Sequence, residues 1–279
     1  MSGHEKQTSQ TTATKIMTHM LAAVPAAIMA EFVAYPFWTI ETIQRIKRIS
    51  FLRAFHEIYH GKGFYAGFSV SLYAAVPAAL LYLLGSRIPP WLFNDPQVNN
   101  HHVALLQGPC AQTLCMLVYG PAMQIIMQRQ SDNIANKFNW GASKVLSLYR
   151  KTFWLLLSTT VTLELIAFWS LAQFNKNYSA EEHARLNTQI FATASAFTFA
   201  TVLTMPFDTL ATHLSGNKKY SDQEKLFSAM KKLHGEVGMR GLYKGFFPSI
   251  AYHSIWATTF FVTQRALSDK IENLKFSPH

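Results

Sequence analysis

Hydrophobic and polar positions alternate slowly along this chain and gather into six apolar runs of the length that a helix needs to cross a bilayer. The runs are Ile16 to Phe37, Phe68 to Ile88, Val103 to Met127, Phe153 to Phe174, Thr188 to Leu214 and Phe246 to Leu267. Some are interrupted by polar residues. Six is even, so the pattern places both termini on one side. Between the runs lie the stretches FLRAFHEIY, GASKVLSLY and KLFSAMKKLH, rich in aromatic and basic residues. That composition predicts short amphipathic helices in the membrane interface. Residues 1–15 are polar and read as a disordered tail, with no cleavable signal, and residues 271–279 read as a second tail.

The runs repeat in pairs. AYPFWTIE at Ala34 to Glu41 recurs as VYGPAMQI at Val118 to Ile125 and as LTMPFDTL at Leu203 to Leu210. Their prolines, Pro36, Pro121 and Pro206, stand 85 residues apart. A second signal follows each of them: GFYAGF from Gly63, LYRKTF from Leu148 and GLYKGF from Gly241. Equal spacing of the prolines, each followed by the second signal, predicts three units of two helices, with boundaries at 16–98, 99–185 and 186–270. A proline inside a helix costs roughly 3 kcal/mol. Three of them at equivalent places predict kinks that bring the odd-numbered helices together at one end. The small residues Ala22, Ala26, Ala30 and Ala192, Ala196, Ala200 fall at helical spacing and predict close helix packing.

Composition agrees with a membrane setting. Only 14% of the 279 residues are charged and 49% are hydrophobic, whereas soluble domains carry about 25% charged residues. The net charge is +10, and most of the basic residues sit in the connections after the first, third and fifth runs. By the positive-inside rule those connections face the side that controls insertion, with the termini opposite. Anionic lipid headgroups are natural partners for such a face. Nucleic acid is not, because the basic residues are divided among three loops of a membrane chain. Cys110 and Cys115 fit neither a zinc spacing nor a disulfide framework and read as buried thiols. No nucleophile with its base, metal spacing or phosphate loop points to an enzyme, and no cofactor or metal is expected.

The proline and glycine signals make this sequence similar to the mitochondrial carrier family, whose pattern is P-x-[DE]-x-x-[KR] followed by a glycine-containing segment with an aromatic and a basic residue. The third repeat fits best, from Pro206 to Asp208 and again at Phe246. The resemblance implies an all-α membrane protein: six transmembrane helices in three pseudo-threefold repeats around a central cavity, with interfacial helices on the matrix side of the inner membrane, working as a monomer. It also implies a substrate bound near mid-membrane, and salt-bridge networks that open and close on either side. The Y-[KR]-G signals imply cardiolipin at Tyr243, Lys244 and Gly245, and at Tyr149 and Arg150.

Departures from the family pattern are equally informative. At the acidic and basic gate positions stand Trp38 and Glu41, Met123 and Ile126, and Asp208 and Ala211. Asp208 alone follows the pattern, and its implied partner is Glu41, of the same sign. Gln264 stands where the second network needs its last acid. Weak latches on both sides are the expectation, with net uptake as well as exchange. The family's contact positions fall on Ala74 and Ala75, Ser158 and Thr159, and Tyr252 and His253. Glu31 and Glu164 are carboxyls within apolar runs, where such a group is costly and by default functional; a protonated acid, or one bonded to a neighbouring helix, is the plain alternative. His213, Arg45 and Arg129 are candidates for attracting phosphate.

Two functions follow. The first is a transporter of a small metabolite, best matched to a nucleotide such as ATP, with an amino acid or another small metabolite as the alternative. Residues Ala211, Thr212 and His213 replace the arginine-rich run of ADP/ATP exchangers, so an ordinary exchanger is not expected. The Gln, Asn and His usage resembles carriers that some intracellular bacteria deliver to host mitochondria, which move nucleotides. The second is a degenerate carrier-fold scaffold that no longer transports.

Overall fold

The computed structural model describes residues 3–95, 101–131, 142–176, 185–216 and 226–276. They form eight helices: α1 Gly3–Lys47, α2 Phe51–His60, α3 Phe68–Leu92, α4 His101–Ser131, α5 Ala142–Lys176, α6 Leu186–Gly216, α7 Leu226–Leu242 and α8 Phe246–Phe276. Five contain stretches long and apolar enough to cross a membrane: Leu21–Lys47, Phe68–Leu92, Leu105–Met127, Phe153–Phe174 and Leu186–Thr212. The sixth expected span lies in α8, where Tyr252, His253, Ser254, Gln264 and Arg265 dilute the apolar character.

Six long helices close into a ring in the order α1, α3, α4, α5, α6, α8 and back to α1. The three proline-bearing helices, α1, α4 and α6, also touch one another across the ring. Alanines make the tightest seams. Ala23, Ala26, Ala27 and Ala30 of α1 pack with Ala79 and Phe260, and Ala192, Ala196 and Ala200 are buried as their spacing predicts. Between α3 and α4 the approach is closer still: a Cβ on Gly85 would stand 2.6 Å from the Ala111 Cα.

Pro36 does not break α1. A proline leaves the carbonyl four residues earlier without its helical donor, and that carbonyl, on Phe32, accepts from the Tyr65 hydroxyl at 3.2 Å. Three residues after the proline, Thr39 donates to Phe64 O at 2.7 Å. Thr209, the equivalent residue of the third repeat, donates to Leu242 O at the same distance. These P-F-x-T threonines tie an odd helix to the turn that leads into the next even helix. The turns themselves depend on glycines in the left-handed region, Gly67 with φ 85° and Gly245 with φ 82°.

The second repeat differs. Lys151 occupies the place of Gly67 and Gly245, and a side chain makes left-handed backbone costly. No turn forms there, and the segment GASKVLSLY, expected as a separate interfacial helix, is described from Ala142 onward and continues into the membrane helix as one element, α5. The other two interfacial helices stand apart. In α2, capped by Ser50, Ala54 and Ile58 pack on Ile40 and Ile43, while Phe51, Leu52, Phe55 and Tyr59 face outward. A further correction concerns the N-terminal head. Residues 3–15, expected as a disordered tail, are the first turns of α1, and α8 likewise runs on to Phe276.

Candidate functional site

All six ring helices contribute to one central cavity of about 160 Å³. Along α1 its walls extend from Ala27 to Arg45, which at about 1.5 Å per residue is ~27 Å of helix. Three layers can be distinguished within it.

The lowest layer, past the prolines, is ionic. Arg45 is buried and pairs with Glu41, one turn earlier on α1, at 2.7 Å, and with Asp208 on α6. Its guanidinium also reaches Thr212 Oγ1 at 3.4 Å and Ser249 Oγ of α8 at 3.3 Å. Gly245 leaves room for this contact, since its missing Cβ would lie 3.5 Å from Arg45 Cγ. The expected meeting of two carboxyls of like sign does occur, but with a cation between them. That corrects the reading of a weak latch at this end, and it places Arg45, the candidate for attracting phosphate, between two carboxyl partners.

Above it lies an aromatic layer. Trp38 stands where the pattern asks for an acid, and its ring stacks between Tyr252 at 5.7 Å and Tyr119 at 6.3 Å. Ile126, the second repeat's uncharged gate residue, packs with Tyr35 and Trp38, and Gln130 donates to Thr39 across the same seam at 3.1 Å. Ring contacts thus link α1, α4 and α8 where the family would use ion pairs.

The third layer surrounds two carboxyls. Glu31 is buried and accepts from Ser71 of α3, from the Tyr119 hydroxyl of α4 at 3.0 Å, and from Trp256 Nε1 of α8 at 2.9 Å. Four helices therefore meet on one carboxyl. Glu164 of α5 accepts from the Tyr82 hydroxyl of α3 at 3.2 Å. Both face the cavity, so the two readings of these acids coexist: each is bonded to a neighbouring helix and each borders the space.

The candidates named by sequence divide clearly. Glu31, Glu41, Arg45, Glu164, Asp208, Tyr252 and His253 line the cavity together. His253 Nδ1 lies 2.9 Å from Ser249 O of its own helix. Ser158 is exposed and bonds Leu155 O, while Thr159 is buried and bonds Leu156 O; their neighbour Thr160 borders the cavity instead. Arg129 is not part of the lining; its carbonyl accepts from Lys62 at 2.9 Å. Tyr243, Lys244 and Gly245 lie in the turn before α8, and Tyr243 packs on the core cluster of Leu210, Leu233 and Leu242. The side chains of His213, Tyr149 and Arg150 lie outside the described residues. Sequence reading missed Trp38, Tyr119, Tyr82 and Trp256 as wall residues; each is an aromatic inside an apolar run, where nothing marks an inward-facing ring.

Comparison with known proteins adds family membership to this geometry. Residues 12–87 and 182–274 match the family described as mitochondrial carrier protein. The matched segments fall in the first and third repeats and leave out most of the second, where the glycine turn is lost. An uncharacterized mitochondrial carrier of Schizosaccharomyces pombe (strain 972 / ATCC 24843) is 26% identical over 167 residues, an alignment covering 58% of this chain and 57% of that protein. The match spans little more than half of the relative's length.

Proposed function

The chain belongs to the mitochondrial carrier family, and on that premise we propose that it moves a small metabolite across the mitochondrial inner membrane by alternating access through the central cavity. The observation that carries this reading is the cavity itself: a space lined with polar groups, reached by all six helices and closed at the proline end by the Arg45 cluster. A scaffold would need no such interior, and filling it with apolar side chains would serve stability better.

The nucleotide expected from the overall charge draws its support from the basic proline-side surface, including Lys47, Arg48 and Arg53. The described lining lends it little, because Arg45 is the one lysine or arginine there and is engaged by two carboxylates, which leaves the His253 imidazole as the other basic group. An amino acid or another small metabolite suits the lining better. Anionic lipid, cardiolipin in this membrane, is proposed at the turn Tyr243 to Gly245, and the monomer is the working unit.

Uptake of labelled ATP, lysine and a neutral amino acid into cardiolipin-containing liposomes tests the proposal. Saturable uptake of at least one solute, reduced tenfold or more in Glu164→Gln, is the expected result. Absence of saturable flux for every solute class would overturn the transporter reading in favour of the scaffold.

A further inference from the structure

Four carboxyl-bearing residues line the cavity, Glu31, Glu41, Glu164 and Asp208, against the single guanidinium of Arg45. Arg45 is committed to Glu41 and Asp208. Glu31 and Glu164 are thereby left with hydroxyl and indole donors, and with no cationic partner among the described residues. A carboxyl at membrane depth is normally paired with a cation or serves a solute. Independently, Glu41 Oε2 is buried without a hydrogen-bond partner on the cavity floor. The walls between these acids are aromatic, with Trp38, Tyr82, Phe197, Trp256 and Phe260 all facing the space. Aromatic faces attract cations and repel anions. The volume of about 160 Å³ also falls below the roughly 300–1,000 Å³ of pockets that hold drug-sized ligands.

We propose that the cavity selects a small organic monocation, a primary amine or guanidine on an apolar body, with Glu164 and Glu31 facing its charge and the aromatic walls holding its body. This inference rests on the cavity being the transport path. A polyphosphate would find Arg45 already committed to Glu41 and Asp208, with the His253 imidazole as the one other basic group of the described lining to receive it.

Cys115 gives a readout that does not depend on transport, because its side chain lines the same cavity and is a free thiol. In full-length protein carrying Cys110→Ala, the rates of modification by a cationic and an anionic methanethiosulfonate of similar size are compared by intact mass, each normalised to its rate with a small thiol in solution. The expected result is at least a tenfold preference for the cationic reagent, reduced severalfold in Glu164→Gln. Equal rates, or an anionic preference, would overturn the proposal. If neither reagent reacts, melting of the purified protein with added agmatine or ATP decides: a rise in Tm with agmatine alone supports the inference, and no rise with agmatine refutes it. The liposome experiment separates the two levels of the account. Cationic labelling preference without flux refutes transport and leaves the site chemistry, whereas saturable ATP uptake with anionic preference does the reverse.

Discussion

Arg45 shows what a single side chain decides in this molecule. Removing one member of a buried ionic group costs about 3–5 kcal/mol, because the partners are left buried and uncompensated. Arg45→Gln is therefore expected to lower stability by an amount of that order in detergent thermal unfolding. Adding Glu41→Gln and Asp208→Asn to that variant should recover most of the loss, and a triple variant as unstable as the single one would contradict the ionic account. Trp38→Ala removes the ring between Tyr119 and Tyr252. It is expected to raise solute leak through liposomes severalfold, a change seen as faster loss of preloaded label, while a phenylalanine at the same position restores most of the seal. Much of this site was legible by counting from the prolines, which placed Glu31, Glu41 and Asp208 on the inner faces. Arg45 was misjudged because its role depends on a helical turn, i to i+4, that the motif does not contain. Ser158 and Thr159 were misplaced because the count began at Lys151 and assumed a turn. In a continuous helix two residues span about 200° of rotation, which turns Ser158 outward while Thr160 borders the cavity.

Whole elements are governed by which residue begins each even helix. Gly67 and Gly245 adopt left-handed backbone and pack against α1: Gly67 lies under Tyr35 and Gly245 beside Glu41 and Arg45. An alanine at either place is expected to cost about 1–2 kcal/mol. Lys151→Ala, within a helix already continuous, should change stability by less than about 0.5 kcal/mol. Thermal unfolding of the three variants checks the contrast, and an equal loss in all three would show that the glycine turns carry no special role. The sequence displayed the repeat and its prolines plainly, along with two of the three interfacial helices. It concealed the fusion within α5, since GASKVLSLY has the same amphipathic look as its counterparts. The difference lies in the missing glycine, visible at Lys151 but used only as the origin for counting to the contact positions. The polar head was misread for a related reason: nothing in its composition buries, yet a helix once nucleated in α1 propagates cheaply through residues 3–15.

At the scale of the molecule, the ring is closed by unlike seals. The proline end has the Arg45 cluster and the Trp38 stack, whereas at the other end the family's latch lacks its last acid, with Gln264 in that position. The conformational equilibrium therefore has one firm closure, and solute uptake is expected to proceed without preloaded internal solute, at no less than about a third of the exchange rate. Strict dependence on internal solute would contradict this asymmetry. The six-helix ring itself was predictable from six apolar runs and a threefold repeat, because packing around a centre is what three similar helix pairs permit. The character of the interior was not, since net charge over the whole chain is +10 while the cavity gathers acids.

The central claim is that one cavity opens in turn to each side of the membrane. Its most direct test is the accessibility of Cys115 in Cys110→Ala protein oriented in liposomes, labelled by an impermeant cationic thiol reagent applied from outside or trapped inside. Modification from both sides, with Arg45→Gln accelerating labelling from the proline side, is the predicted result. Labelling from one side alone, unchanged by Arg45→Gln, would contradict alternating access.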